Sequence, residues 1–137
     1  FELRPPALEQ AGLVAALQSR LDAVEGRAGL QVVFHSEGEL SLSREEEDEL
    51  YRMTLEALNN VIKHAQANQV KTQMLHEAGC NRLTIEDDGV GFDPDKDGQS
   101  GGQGIRNIRE RAEKIGARCW IESAPGQGTK VTIEVKK

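Results

Sequence analysis

Residues 56–65 read Glu-Ala-Leu-Asn-Asn-Val-Ile-Lys-His-Ala, setting two asparagines side by side where the apolar spacing is helical. Asparagine is a poor helix former because its amide competes with the backbone for hydrogen bonds. Glu56, Asn60 and His64 recur at four-residue intervals, flanked by Asn59 and Lys63, and all of them are expected to point away from the Leu58–Ile62 stripe. A carboxamide oxygen is a good hard ligand for magnesium, and a lysine suits phosphate. The face is either a magnesium–nucleotide site or a solvated helix surface with ordinary charge pairing.

Three further stretches carry chemistry. Ile85-Glu86-Asp87-Asp88-Gly89-Val90-Gly91-Phe92 ends a strand in a carboxylate, and its glycines let the backbone turn and approach a ligand closely. Asp-Gly is also a common turn dipeptide, so an acidic turn is the plain alternative. Gly101-Gly102-Gln103-Gly104 stands directly before a helix, where free amide N–H groups and the helix dipole favour an anion. Arg106 and Arg109 add positive charge there; the plain alternative is a flexible linker. Gly126-Gln127-Gly128-Thr129 leads into the last strand and on its own is a hairpin turn. No Gly-Lys-Ser/Thr follows either glycine cluster and neither fits GxGxxG, which leaves a Walker loop or a Rossmann site poorly supported.

Helices and strands must bring these stretches together. Pro5 and Pro6 open a helix running to about Glu25, with Leu8, Leu13, Ala16, Leu17, Leu21 and Val24 inward. Leu30 to His35 reads as a strand, and Ser36 to Leu42 as a polar connection with room for a short hairpin partner. Ser43-Arg44-Glu45-Glu46 is a capping box that starts a long helix to about Ala65. Its buried stripe is Leu50, Thr54, Ala57, Leu58, Val61, Ile62 and Ala65. Gln69–His76 and Arg82–Asp87 form a hairpin about an Ala78–Asn81 turn. Asp88 to Gly104 is a long glycine-rich loop of the functional kind. A helix from Ile105 to Ile115, capped by Gly116, precedes strands at Arg118–Ser123 and Thr129–Val135. The pattern predicts one α/β (α+β) domain over residues 1–137: a two-layer sandwich with helices on one face of a mixed sheet.

Composition narrows the classes. Net charge is −6 with 37% hydrophobic residues, so neither nucleic acid nor an anionic membrane is invited, and an anionic ligand needs a local cationic site. Cys80 and Cys119 lie far apart in no CxxC pattern, which argues against a disulfide scaffold or zinc and for a reducing, cytoplasmic setting. No apolar run reaches the roughly 18 residues of a membrane span, and no signal peptide is visible. The chain begins at Phe1 rather than Met and is read as a portion of a longer protein, whose remainder has room for a membrane anchor.

The order and spacing of the four stretches are more specific than any one of them. Glu56-x-x-x-Asn60 with Lys63-His64-Ala65, then Asp87-x-Gly89-x-Gly91, Gly102-x-Gly104 and Gly126-x-Gly128-Thr129 resemble the N, G1, G2 and G3 boxes of the GHKL ATP-binding superfamily. Within it the chain resembles the catalytic ATP-binding domain of bacterial sensor histidine kinases. Glu56-Ala57-Leu58-x-Asn60-x-x-Lys63-His64-Ala65 and Gly104-Ile105-x-x-Ile108-x-Glu110-Arg111 are similar to the subgroup that partners nitrate-response-type regulators with helix-turn-helix outputs. Leu3-Arg4-Pro5-Pro6-Ala7-Leu8 and Gly12-Leu13 resemble that subgroup's segment just after the phosphoacceptor helices, which makes 1–13 a junction.

The resemblance implies a Bergerat-type fold and Mg2+ and ATP as ligands. Asn60 aligns with the magnesium-binding asparagine, and Glu56 with the acidic residue proposed to act as base or water organiser. Lys63 and His64 face the phosphates, Asp87 accepts from the adenine amino group, and Gly89 and Gly91 make room for the base. Thr129 supports its far edge, Gly102 and Gly104 hold phosphates, and Gly91 to Gly102 is a mobile lid; Asn59 receives no role. His76 in Leu75-His76-Glu77 lies at a strand end, so the phosphoacceptor histidine and the dimerisation helices are expected outside this chain. A response regulator is the expected downstream partner, and the isolated chain is expected to be monomeric with little kinase activity. The alternatives are an anti-sigma-factor-type serine kinase and a non-catalytic nucleotide-binding interaction module.

Overall fold

The computed structural model describes residues 4–92 and 102–137, with only the backbone described at positions 27, 28, 64, 65, 102 and 103. Helix α1 is Pro6–Ala28, strand β1 Gln31–Glu37, helix α2 Arg44–Asn60 and strand β2 Gln69–Glu77. Strand β3 is Cys80–Asp87, helix α3 Gly102–Lys114, strand β4 Arg118–Ser123 and strand β5 Thr129–Lys136. The five strands form one sheet in the order β1-β2-β3-β5-β4. β1 runs parallel to β2, and every other pair is antiparallel.

The period of two along the central strands decides which face is covered. Val70, Met74, Leu83, Ile85, Val131, Ile133 and Val135 are buried against Leu17 and Leu21 of α1, Leu50 and Leu58 of α2 and Ile108 of α3. Lys71 and Glu86 take the alternating positions and are exposed. Helices on one face of a mixed sheet give the expected two-layer sandwich.

Local chemistry explains the element ends. Ser43 Oγ accepts from the Glu46 N–H at 3.1 Å while Glu46 Oε1 accepts from the Ser43 N–H at 2.8 Å, closing the capping box that starts α2. α3 ends in a Schellman motif: the Ala117 N–H reaches the Ala112 carbonyl and the Gly116 N–H the Glu113 carbonyl, with Gly116 at φ 64°. Arg4, just before α1, lies 2.8 Å from Asp48 and 3.3 Å from Glu47, and so docks the Arg-Pro-Pro segment onto the first turns of α2.

Several boundaries differ from the expectation. Gly12 breaks α1 at φ 83°, ψ 177°, so the first helix is two helical stretches joined at a kink. α2 ends at Asn60 and the chain continues as a single π-helical turn, Val61–Ala65. The wider turn rotates the side chains after Asn60 about the helix axis. Ile62, expected in the buried stripe, is 49% exposed, while Val61 stays buried. Asn81, expected in a turn, lies in β3 and is fully buried. Its carboxamide accepts from the Ser41 N–H and donates to the Ser41 carbonyl, clipping the 38–42 connection to the sheet. That connection carries no strand, and β1 takes β2 as its neighbour instead. α3 begins at Gly102 rather than Ile105, which places Gly102 and Gly104 inside its first turn. Residues 93–101, most of the expected lid, lie outside the described residues. Among the described residues no helix is long and apolar enough to cross a membrane.

α2 and α3 are held together by a buried ion pair. Arg111 Nη1 lies 3.0 Å from Glu49 Oε2, with Lys114 Nζ 3.4 Å from the other oxygen, and Glu49 is 6% exposed. Removing Arg111 leaves the buried Glu49 carboxylate with the more exposed Lys114 beside it, a poorer match for its charge. Arg111→Met should therefore cost about 3 kcal/mol, read as a lower urea midpoint at unchanged slope. Glu49→Met/Arg111→Met should recover part of that loss.

Candidate functional site

A cleft opens between α2, α3 and the ends of β3 and β5. Ala57, Val61, Ile85, Ile105 and Val131 make its walls, and Val90, Gly91 and Phe92 close one end. Among the described residues that line it, Asn60, Asp87 and Thr129 alone carry polar side chains. The cleft thus favours a largely apolar body with a few polar edges.

Asp87 stands at the C-terminal end of β3, 9% exposed. Its Oδ1 accepts from the Gly89 N–H at 2.8 Å. Burial pushes its carboxyl above the ordinary range; the Gly89 N–H opposes this, and the neighbouring Asp88 and Glu86 charges reinforce it. Asp88 has a different task. Its Oδ1 accepts from the Asn68 and Gln69 N–H groups at 2.8 and 2.9 Å, which hold its carboxyl below the usual range and anchor the start of β2.

Two glycines allow the backbones to close on this carboxylate. Gly91 has φ 63°, and a β-carbon there would meet the Ala124 carbonyl and lie 2.8 Å from the Gly128 carbonyl. Gly128 has φ 73°, and its β-carbon would strike the Asp87 carbonyl. The Gly126 N–H donates to the Val90 carbonyl at 2.6 Å. The turn at 126–128, a plain hairpin when read alone, is therefore interlocked with the loop after β3.

Ser123 ties the same corner together and carries no signal in the sequence. Its hydroxyl accepts from the Phe92 N–H and donates to the Gly128 carbonyl, both at 2.9 Å, and lies 2.9 Å from Thr129 Oγ1. A serine has one proton. With that proton on a carbonyl, the Thr129 hydroxyl must donate to Ser123, and Thr129 presents lone pairs elsewhere.

On the helical side, Asn60 is half-buried at the last residue of α2, just before the π turn. A β-carbon at Gly104 would stand 2.6 Å from Asn60 Oδ1 and 2.9 Å from its Nδ2. The glycine is what lets the first turn of α3 rest on the carboxamide. Glu56, one turn before Asn60 and half-buried, accepts from Asn107 Nδ2 at 3.2 Å. Lys63 is exposed on the π turn, Asn59 is exposed on α2, and of His64 the backbone alone is described. Gly89 is buried beneath Asp87, and Gly102 starts α3. The chain thus gathers Asn60, Asp87, Gly91, Gly104 and Thr129 about one cleft, with Glu56 and Lys63 one turn to either side.

Among the described residues no group of three His, Cys, Asp or Glu side chains could hold a metal. A carboxamide oxygen at Asn60 fits magnesium as one ligand among others, since that ion keeps several waters and takes oxygens from a bound phosphate.

The chain was compared with known proteins. The profile of the histidine kinase-, DNA gyrase B- and HSP90-like ATPase family matches residues 45–137. Sensor histidine kinase YhcY of Bacillus subtilis is 38% identical over 135 residues, covering 98% of this chain and 34% of its own length. A sensor-like histidine kinase of Chloroflexus aurantiacus is 38% identical over 144 residues, covering 98% of this chain and 24% of its own length. The chain therefore spans about a third or less of these curated relatives. The blue-light activated histidine kinase of Erythrobacter litoralis EL346 superposes with a TM-score of 0.73 at 25% identity, over 90% of this chain and 40% of that one. Histidine kinase AdeS of Acinetobacter baumannii shares the fold, with a TM-score of 0.72 at 17% identity over 95% and 72% of the two chains.

The Ser123 junction can be tested without a ligand. Ser123→Ala leaves the Phe92 N–H and the Gly128 carbonyl without their partner and should cost about 2 kcal/mol. The loss should show as a lower urea midpoint. Hydrogen exchange should quicken at Phe92 before it does in the strand centres.

Proposed function

The chain belongs to the histidine kinase-, DNA gyrase B- and HSP90-like ATPase family, and on that premise we propose that it binds Mg-ATP in the Asn60–Asp87 cleft as the catalytic domain of a sensor histidine kinase. Its reaction is transfer of the γ-phosphate to a histidine on phosphoacceptor helices outside residues 1–137, for relay to a response regulator. Residues 1–13 form the junction to those helices, and Arg4 docks that junction on α2. The motif at 56–65 and the Gly104–Arg111 segment support the nitrate-response-type subgroup. The sensor histidine kinases among its relatives support the kinase reading over a serine kinase or a silent binding module.

One observation carries the reading. A carboxylate from β3 and a carboxamide from α2 line the same apolar slot, though the chain separates them by a hairpin. Asp87 would accept from the adenine amino group, and Thr129, with its proton on Ser123, would present an acceptor to the base. Asn60 Oδ1 would hold the magnesium ion, with the first turn of α3 bringing amide N–H groups to the phosphates. When bound, the ion would neutralise charge on the phosphates. Glu56 would take the proton of the attacking group or orient it, and Lys63 would add positive charge at the phosphate end. These groups bind and align; phosphoryl transfer asks for little else.

The raised Asp87 pKa sets a sign. A carboxyl whose folded pKa is raised favours the fold while protonated, and that contribution is lost as pH rises through the raised value. At neutral pH the ionised Asp87 therefore costs the empty domain stability, and an amino donor compensates it. Asp87→Asn should leave the melting temperature of the empty domain unchanged or higher. The same change should weaken ATP binding about tenfold or more, because a charged acceptor bond contributes roughly 1.5–3 kcal/mol. Calorimetry showing unchanged ATP affinity in Asp87→Asn would refute the assignment. Wild-type affinity should also fall as pH drops through the raised Asp87 value, above the ordinary ~3.9.

Asn60→Ala and Gly104→Ala should each remove the gain in nucleotide affinity that magnesium gives over EDTA, the second because its β-carbon displaces the carboxamide. With labelled ATP and a helical phosphoacceptor domain supplied in trans, the product should be an acid-labile phosphohistidine. An acid-stable phosphoserine on an anti-anti-sigma-type partner would move the chain to the serine kinases.

A further inference from the structure

Among the contacts that join α2 and α3, which pass each other in opposite senses, three stand at successive heights. Gly104 rests on Asn60, Asn107 Nδ2 donates to Glu56 Oε1 at 3.2 Å, and Arg111 Nη1 reaches Glu49 Oε2 at 3.0 Å. As the numbers rise along α3 they fall along α2, so the three are successive rungs of one seam. The end rungs are set by close approach and by charge. One admits no β-carbon, and the other is an ion pair on a carboxylate that is 6% exposed. The middle rung differs in kind, being a neutral amide donor on a half-buried carboxylate.

We propose that Asn107 is a positioning residue that aims the Glu56 carboxylate and makes that aim depend on where α3 sits. The inference rests on the role proposed for Glu56 above. An arginine or lysine at this rung would tie the carboxylate into an ion pair and lower its basicity. An amide gives it a direction without a counter-charge. One oxygen accepts from Asn107, and a carboxylate has lone pairs enough on the other for a proton acceptor or an ordered water. Reaction demands that such a group stand within about 2.6–3.2 Å of its proton, and an untethered glutamate has several rotamers to lose. Asn107 lies a turn and a half into α3, whose first turn starts at Gly102. A movement of that first turn toward bound phosphates would carry Asn107 with it and set the carboxylate at the same time.

The test compares the wild-type chain, Asn107→Ala, Asn107→Asp, Glu56→Gln and the double variant Glu56→Gln/Asn107→Ala. ATP dissociation constants come from calorimetry, and single-turnover transfer rates from labelled ATP with phosphoacceptor helices supplied in trans. Asn107→Ala should slow transfer about tenfold, the worth of one charge-assisted bond. Its ATP affinity should stay within about twofold, as for a site outside the binding contacts. Asn107→Asp, isosteric but like-charged, should slow transfer further. The double variant should be no slower than Glu56→Gln alone, because Asn107 has nothing left to aim. A double variant slower than Glu56→Gln by the full Asn107→Ala factor would overturn the inference and make Asn107 a packing residue. So would Asn107→Ala at the wild-type rate beside an impaired Glu56→Gln. A fully active Glu56→Gln is a separate outcome: it removes the proposed role of Glu56 itself and the inference with it.

Discussion

A carboxylate held in an apolar slot is the constraint on which the rest of the architecture depends. Asp87 ends β3, a strand flanked by β2 and β5, so the sheet fixes its position on both sides. Burial raises its pKa, which means the empty fold bears a cost for keeping it there ionised. The Gly89 N–H offsets part of that cost. The close backbone approach at Gly128 and the φ of Gly91 let the two loops shut around it. None of these features improves an empty domain. An apolar residue at 87 would give an empty domain a simpler sheet end. Their joint presence makes sense if a donor enters the slot and compensates the carboxylate.

The opposite wall solves a different problem. A carboxamide that is to hold a cation must not rotate, and Asn60 stands at the end of a regular helix, where side chains are least constrained. Gly104 supplies the constraint by bringing backbone against the amide. The π turn after Asn60 turns Ile62 outward and ends the apolar stripe, so that the chain leaves the core at the mouth of the cleft. The buried Glu49–Arg111 pair then sets the far end of the same helix seam. The seam is stiff away from the cleft, and its glycine end carries the first turn of α3.

Much of this was legible in the sequence, and the exceptions have a common cause. Alternation along Val70, Thr72 and Met74, the capping box at Ser43 and Glu46, and Gly116 after the last periodic residue are local signals, and each element formed where they stand. The four glycine- and carboxylate-bearing stretches were legible too, because their spacing is a chain property. Ser123 was not. A serine before an Ala-Pro-Gly turn looks like turn chemistry, and its role arises only when Phe92, Gly128 and Thr129 arrive around it. Asn107 sits on an amphipathic helix where an amide reads as surface, and its partner is 51 residues away. Asn81 read as a turn residue, because nothing local says that Ser41 will satisfy its amide inside the sheet. The π turn escaped for the complementary reason: its apolar spacing continues the α-helical pattern, and one extra residue per turn changes which side chain is buried.

The two walls meet at only a few places, and that limits how the site can work. The sheet wall, from Asp87 through Gly91 to Ser123 and Gly128, is a net of side-chain-to-backbone hydrogen bonds and close backbone approaches, and it gains little by moving. The helical wall is hinged differently. α3 is anchored at Arg111 and Lys114, and its first turn carries glycine at both 102 and 104. Any adjustment to a bound molecule is therefore cheapest at the N-terminal turn of α3. Because Asn60 and Glu56 both touch α3 there, an adjustment that engages a ligand's anionic end also repositions the two α2 groups that would act on it. On the proposed reading, recognition of the base and alignment of the phosphates would fall to separate walls, so that specificity and rate could vary independently.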